Sequence, residues 1–222
     1  LFALLFNSNF LYSQFVLREH FRNSRVPSDV YLRESAVLTA GTTDTEGDGW
    51  LRLTQASVNK KGYAFIDRPF PSTLGLNVEF EFKAWRDTES TQYTGGDGFS
   101  VFLYDGSVTK ENFRLGAYGG SLGYTRNSAV SPSVPNGLRG GYIGVGFDSY
   151  GGFGNNWEGK NGMLNNNNAS IPSDFTGEST IPNTIVLRGA TNETTSSNSN
   201  RILAYKKLGD RTESANAIRR RG

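Results

Sequence analysis

Asp97 stands in the run Gly95-Gly96-Asp97-Gly98, immediately before the apolar stretch Phe99-Ser100-Val101-Phe102-Leu103-Tyr104. Glycines on both sides let the backbone turn sharply and approach a ligand, while the apolar stretch ties the turn to a core. The pattern reads as a binding carboxylate held at the mouth of a strand. Glycine-rich runs recur in Gly119-Gly120-Ser121-Leu122-Gly123-Tyr124 and in Gly137-Leu138-Arg139-Gly140-Gly141-Tyr142-Ile143-Gly144-Val145-Gly146-Phe147-Asp148-Ser149-Tyr150, the second leading through a hydrophobic strand to an acid. Tyr118, Tyr124, Tyr150, Phe153 and Trp157 gather in sequence around these loops. Tyr150 and Trp157 lie among polar and glycine residues and are the surface candidates for a stacking face, whereas Phe99 and Phe102 are assigned to packing.

Other chemistries find little to work with. Cysteine is absent, which removes disulfides, thiol nucleophiles and thiolate zinc sites. The single histidine, His20, leaves no set for a histidine metal centre or a nucleophilic triad. Lys and Arg number 23 against 21 Asp and Glu, so the net charge of +2 offers no field for nucleic acid or an anionic membrane. Glu79 and Glu81 have the i, i+2 spacing of a carboxylate pair, but they fall on the polar side of an alternating segment and read as solvated surface.

The elements that must position these residues are short strands. Residues 76–85 alternate most clearly, with Leu76, Val78, Phe80, Phe82 and Ala84 on one side and Asn77, Glu79, Glu81 and Lys83 on the other. Period two over that length predicts a half-buried antiparallel strand. Further strands are expected at 50–54, 63–66, 99–104, 142–147 and 184–187, separated by loops rich in Gly, Asn, Ser and Pro. No amphipathic helix is expected. Two long loops, 125–136 and 151–182, break the spacing, and loops of that length are usually functional or mobile. A 222-residue chain with this pattern fits one all-β domain built as a sandwich.

Taken in order, the Asp97 turn, the Gly119-Gly120 loop, the Phe147-Asp148-Ser149-Tyr150 strand end and Pro182-Asn183-Thr184-Ile185-Val186-Leu187-Arg188-Gly189 resemble the bacterial branch of the L-type, legume-lectin-like domains. The resemblance spans roughly residues 26–222. It implies a concanavalin A-like antiparallel β-sandwich of jelly-roll form, and carbohydrate binding without catalysis. By that likeness Asp97 accepts from sugar hydroxyls, Gly119 and Gly120 supply backbone donors, and Tyr150 and Trp157 offer a face for the sugar ring. The resemblance further implies calcium beneath the sugar, with Asp148, the Tyr150 carbonyl and Asn155 as oxygen ligands, Asn156 or Glu158 being further sources. Two positions depart from the pattern: Gly146 and Gly152 stand where the family carries an acid and an asparagine.

Residues 1–14, beginning Leu1-Phe2-Ala3-Leu4-Leu5-Phe6, resemble the middle and end of a secretory signal and are far shorter than the ~20 apolar residues of a membrane span. Residues 15–222 are then one lectin-like sandwich, expected to be incomplete at its C-terminus after Arg219-Arg220-Arg221-Gly222. The expected function is glycan binding by a secreted or cell-surface protein, with no nucleic-acid or membrane-inserting role. A glycoside hydrolase of the same architecture and a structural adhesin module are the alternatives.

Overall fold

The computed structural model describes residues 15–72, 75–84, 96–127, 137–156, 158–162, 180–191 and 200–208. Within them the protein is all-β, with antiparallel ladders and a single 3-10 turn. The strands are β1 (Val30–Glu34), β2 (Val37–Leu38), β3 (Leu51–Arg52), β4 (Gly62–Ile66), β5 (Gly98–Tyr104), β6 (Gly141–Asp148), β7 (Thr184–Arg188) and β8 (Ile202–Lys207). Strands β5 to β8 form one sheet in that order, while β1 pairs with β4 and β2 with β3. Among the described residues no helix is long and apolar enough to cross a membrane.

The central strand, β6, shows how sequence becomes layer. Its side chains alternate between the two faces of the sheet. Ile143, Val145 and Phe147 point one way, and Gly144, Gly146 and Asp148 the other. On the glycine face, an ideal Cβ at Gly144 would stand 2.7 Å from the Tyr124 ring and one at Gly146 only 2.2 Å from the Phe153 ring. Glycine normally weakens a strand, but here its missing side chain lets two aromatic rings lie directly on the backbone. Register carries Phe102 and Val186 onto this face, opposite Gly144 and Gly146 respectively. The buried cluster of Tyr124, Leu138, Phe153, Val186 and Ile202 forms there, with Phe102, Tyr104, Phe113, Leu115, Leu122 and Tyr205 packed around it. At roughly 1.5–3 kcal/mol for each fully buried large side chain, this loop-covered face is the main source of hydrophobic stabilisation that the described residues provide.

The opposite face carries Phe99 and Phe147, stacked with ring centroids 4.7 Å apart. Phe80 and Phe82 pack against both. The apolar side of residues 76–84 therefore meets the sheet as the alternation requires. Among the described residues, however, that segment joins no ladder, and Leu76, Val78, Phe80 and Phe82 stay 39–52% exposed. Side-chain alternation specifies which face a segment buries, but only a neighbouring strand supplies the ladder. The β1–β4 pair reaches the main sheet through Phe65, whose ring stacks on Phe113 at 4.1 Å, and through the Tyr104 hydroxyl, which donates to the Ile66 carbonyl at 2.6 Å.

The expected strands at 50–54, 63–66, 99–104, 142–147 and 184–187 each have a counterpart within a few residues. Strands β1, β2 and β8 were not anticipated. In β8 only Ile202 is buried while Leu203, Ala204, Lys206 and Lys207 are exposed, so this outer strand carries little alternation to read. The signal expected in residues 1–14, the Trp157 candidate and the chain beyond residue 208 lie outside the described residues.

Candidate functional site

Asp97 immediately precedes β5 and Ser149 immediately follows β6, and register pairs Gly98 with Asp148 between them. The backbone carbonyl of Asp97 accepts from the N–H of Ser149 at 3.0 Å and of Tyr150 at 3.1 Å, carrying the pairing past the strand ends. Gly98 is essential to this turn. Its φ is +136°, and a Cβ there would lie 2.2 Å from the Phe147 carbonyl oxygen. The Asp97 turn and the Tyr150 loop are thus fastened together by main-chain atoms, leaving the Asp97 side chain half-buried and Tyr150 43% exposed at the mouth.

The Gly119-Gly120 loop arrives from the other side. It forms the 3-10 turn Gly119–Ser121, closed by Leu122 in the left-handed region, whose N–H donates to the Gly119 carbonyl at 2.9 Å. Ser100 on β5 holds the turn by donating its hydroxyl to the Leu122 carbonyl at 2.7 Å. The backbone of Gly120 then rests on that of Gly152, where a Cβ built on Gly152 would lie 2.9 Å from the Gly120 Cα. That contact accounts for the departure at Gly152, since any larger residue would part the two loops. Three glycine-rich segments that are distant in sequence meet at one end of β5 and β6. As the first residues of a helical turn, Gly119 and Gly120 have no intrahelical acceptors for their amides.

Directly beneath this mouth, Asp148 is fully buried. Its Oδ1 accepts from the N–H of Gly151 at 2.8 Å, and its Oδ2 from those of Phe153 at 2.7 Å and Gly154 at 3.0 Å. Burial pushes the carboxyl up to about 7, while the three N–H bonds pull it down and the nearby Asp97 pushes it further up. Asn155 is also buried, and its backbone carbonyl accepts from Arg188 at 2.7 Å. Donors crowd the Asp148 oxygens where a calcium ion would need bare ones, and among the described residues the buried cations Arg188 and Lys160 also act on Asp148. The donor set that the described residues provide does not fit a calcium ion.

Arg188 directly follows the strand expected at 184–187. In the structure it is the largest of the fully buried side chains, and its guanidinium makes five hydrogen bonds. Nε and Nη2 donate to the Phe153 carbonyl at 3.0 and 2.6 Å, Nη2 also to Asn155, and Nη1 to the carbonyls of Asn161 at 2.7 Å and Asn200 at 2.5 Å. Burial lowers its pKa to about 9, and Asp148 and Tyr124 oppose that shift, so the group remains a cation at neutral pH. The one available sequence signal was parity: period two puts Arg188 on the same inward face as Val186 and Thr184. Lys160 is likewise buried, with burial lowering its pKa and Glu158 accepting from it at 2.9 Å. Arg126 donates its Nε to the Gly159 carbonyl. The described residues of the long loop after β6 are therefore tied down at several points.

Of the expected site, Asp97, Gly119, Gly120 and Tyr150 come together at the mouth, and Asp148 and Asn155 lie buried under it. The chain matches no protein-family model and no curated protein.

Proposed function

We propose that this protein is a non-catalytic carbohydrate-binding module of the L-type lectin kind, a concanavalin A-like jelly-roll sandwich borne by a secreted or cell-surface bacterial protein. The observation that carries the reading is the convergence of Asp97, Gly119-Gly120 and Tyr150 on one mouth. A carboxylate acceptor, backbone donors and a half-exposed aromatic ring are the three contact types that a sugar's hydroxyls and C–H face require. Calcium forms no part of this mechanism; the sugar is held by protein groups alone.

Hydrolysis is less well supported. A retaining glycosidase sets two carboxyl groups about 5–5.5 Å apart facing the substrate. Asp148, which lies near Asp97, is fully buried and committed to backbone donors. Glu79 accepts from Asn77 at 3.0 Å, and Glu81 faces Arg22 at 3.8 Å on the exposed side of its segment.

A glycan array probed with the wild type and with Asp97→Ala tests the proposal. Hydrogen bonds to a charged group are worth about 1.5–3 kcal/mol, so the variant is expected to bind about 10- to 150-fold more weakly. Its fold should persist, because the substitution leaves in place the Asp97 backbone carbonyl that fastens the turn to Ser149 and Tyr150. Retained binding in Asp97→Ala would move the site elsewhere. Absence of binding by folded wild type would favour a structural adhesin module.

A further inference from the structure

We propose that the loop beneath the mouth is organised by an internal cation, the Arg188 guanidinium, together with the Asp148 carboxyl oxygens, in place of the calcium ion that the family resemblance implies. The inference rests on loop geometry and holds whether or not the mouth takes a sugar.

Calcium gathers six to eight oxygens, many of them backbone carbonyls and carboxylates, at about 2.3–2.6 Å. Around this loop the carbonyl oxygens of Phe153, Asn155, Asn161 and Asn200 already converge on one positive charge, that of Arg188. All five guanidinium N–H donors are used, which a planar fork with fixed directions achieves only when the carbonyls are set around it. The complementary half is Asp148, whose oxygens accept from the amides of Gly151, Phe153 and Gly154. Phe153 belongs to both halves: its N–H is held by Asp148, its carbonyl by Arg188, and its ring lies 5.2 Å from the guanidinium carbon. One buried carboxyl group and one buried cation thus orient successive peptide groups of the same loop.

The two departures from the family pattern fit this account. Gly146 has no carboxylate because the Phe153 ring occupies that space, and Gly152 has no amide because the Gly120 backbone does. At Gly146 the space is taken by ring carbons, and at Gly152 the Gly120 Cα comes nearest, at 2.9 Å, with the Gly120 carbonyl oxygen 3.7 Å away. A divalent ion would also face the buried charges of Arg188 and Lys160 at short range, where repulsion is poorly screened.

The test is thermal unfolding of the full chain in EDTA and in 10 mM calcium, together with hydrogen exchange of the peptide covering 149–156. The expected result is a melting temperature unchanged within about 1 °C and amides of Gly151, Phe153 and Gly154 protected in EDTA. A calcium site of even millimolar affinity would raise the melting temperature by about 3–6 °C. Such a rise, accompanied by protection of 149–156 only when calcium is present, overturns the proposal. In Arg188→Gln, protection across 149–162 should be lost at least tenfold while β5 and β6 stay protected, and unchanged protection there overturns it equally. If that variant does not fold, the wild-type comparison decides.

Discussion

Gly146→Ala should destabilise this protein, although the usual effect of replacing glycine in a strand is the reverse. Without strain, the exchange removes unfolded-state freedom and gains about 0.5–1 kcal/mol. Here the added Cβ would stand 2.2 Å from Cδ1, 2.4 Å from Cε1 and 3.0 Å from Cγ of Phe153. Carbon atoms prefer about 3.5–4.0 Å, so the ring must retreat by more than about 1 Å. Its position is fixed from several sides. Phe153 is fully buried, its N–H is held by Asp148 at 2.7 Å, and its carbonyl is held by Arg188. Overpacking of a fixed site costs about 1–3 kcal/mol, and the tight anchoring puts this case at about 2–3 kcal/mol net. Urea unfolding followed by tryptophan fluorescence reads that as a lower midpoint at unchanged slope. The companion variant Phe153→Ala should cost about 3–5 kcal/mol alone, and Gly146→Ala added to it should be neutral or stabilising, an interaction energy of at least about 2 kcal/mol. Stability of Gly146→Ala within about 0.5 kcal/mol of wild type, or additivity in the double variant, would refute the packing argument.

Gly152→Asn, which installs the residue of the family pattern, should push the loops apart because the new Cβ would meet the Gly120 Cα at 2.9 Å. Glycan affinity should drop at least tenfold on the array, and an unimpaired variant would sever the supposed link between that contact and the mouth. Tyr124→Phe removes the hydroxyl that donates to the Gly189 carbonyl at 3.0 Å inside the core, with an expected loss of about 1 kcal/mol by denaturant titration. A gain in stability would show that this bond is not needed. The pH profile follows from Asp148, whose folded carboxyl is pushed up to about 7 while the unfolded group titrates at about 3.9. Between those values the folded state holds the extra proton, so this group makes stability fall as pH rises from about 4 to 7, by at most about 1.4 kcal/mol per pH unit. Comparing wild type with Asp148→Asn isolates its share, and identical slopes would mean that the three N–H bonds outweigh burial.

Local features were legible because their causes are local. Alternation over 99–104 and 142–147 follows from the two-residue period of an extended chain, and glycine next to Asp97 or Asp148 marks where that period must end. These signals located strands β3 to β7 and both halves of the mouth, and they assigned Phe99 and Phe102 to packing, as their ring contacts bear out. They failed for β8, whose exposed side chains carry no alternation, and for the pairing of residues 76–84, which depends on a neighbour and not on the segment itself.

By itself the sequence determined an all-β chain, the order of its glycine-rich turns and the acids beside them, because turn geometry and side-chain parity are settled within a few residues. Only the tertiary structure decided what those residues do to each other. It laid Phe153 on Gly146, seated Gly120 against Gly152, and carried Arg188 to the Phe153 carbonyl 35 residues away. A glycine in the sequence does not reveal what will occupy its empty side, and an arginine at a strand end reads as solvated until its surroundings are known. The physical reason is that burial, close approach and the sharing of hydrogen bonds are properties of pairs of segments, fixed only when the sheet brings them into contact.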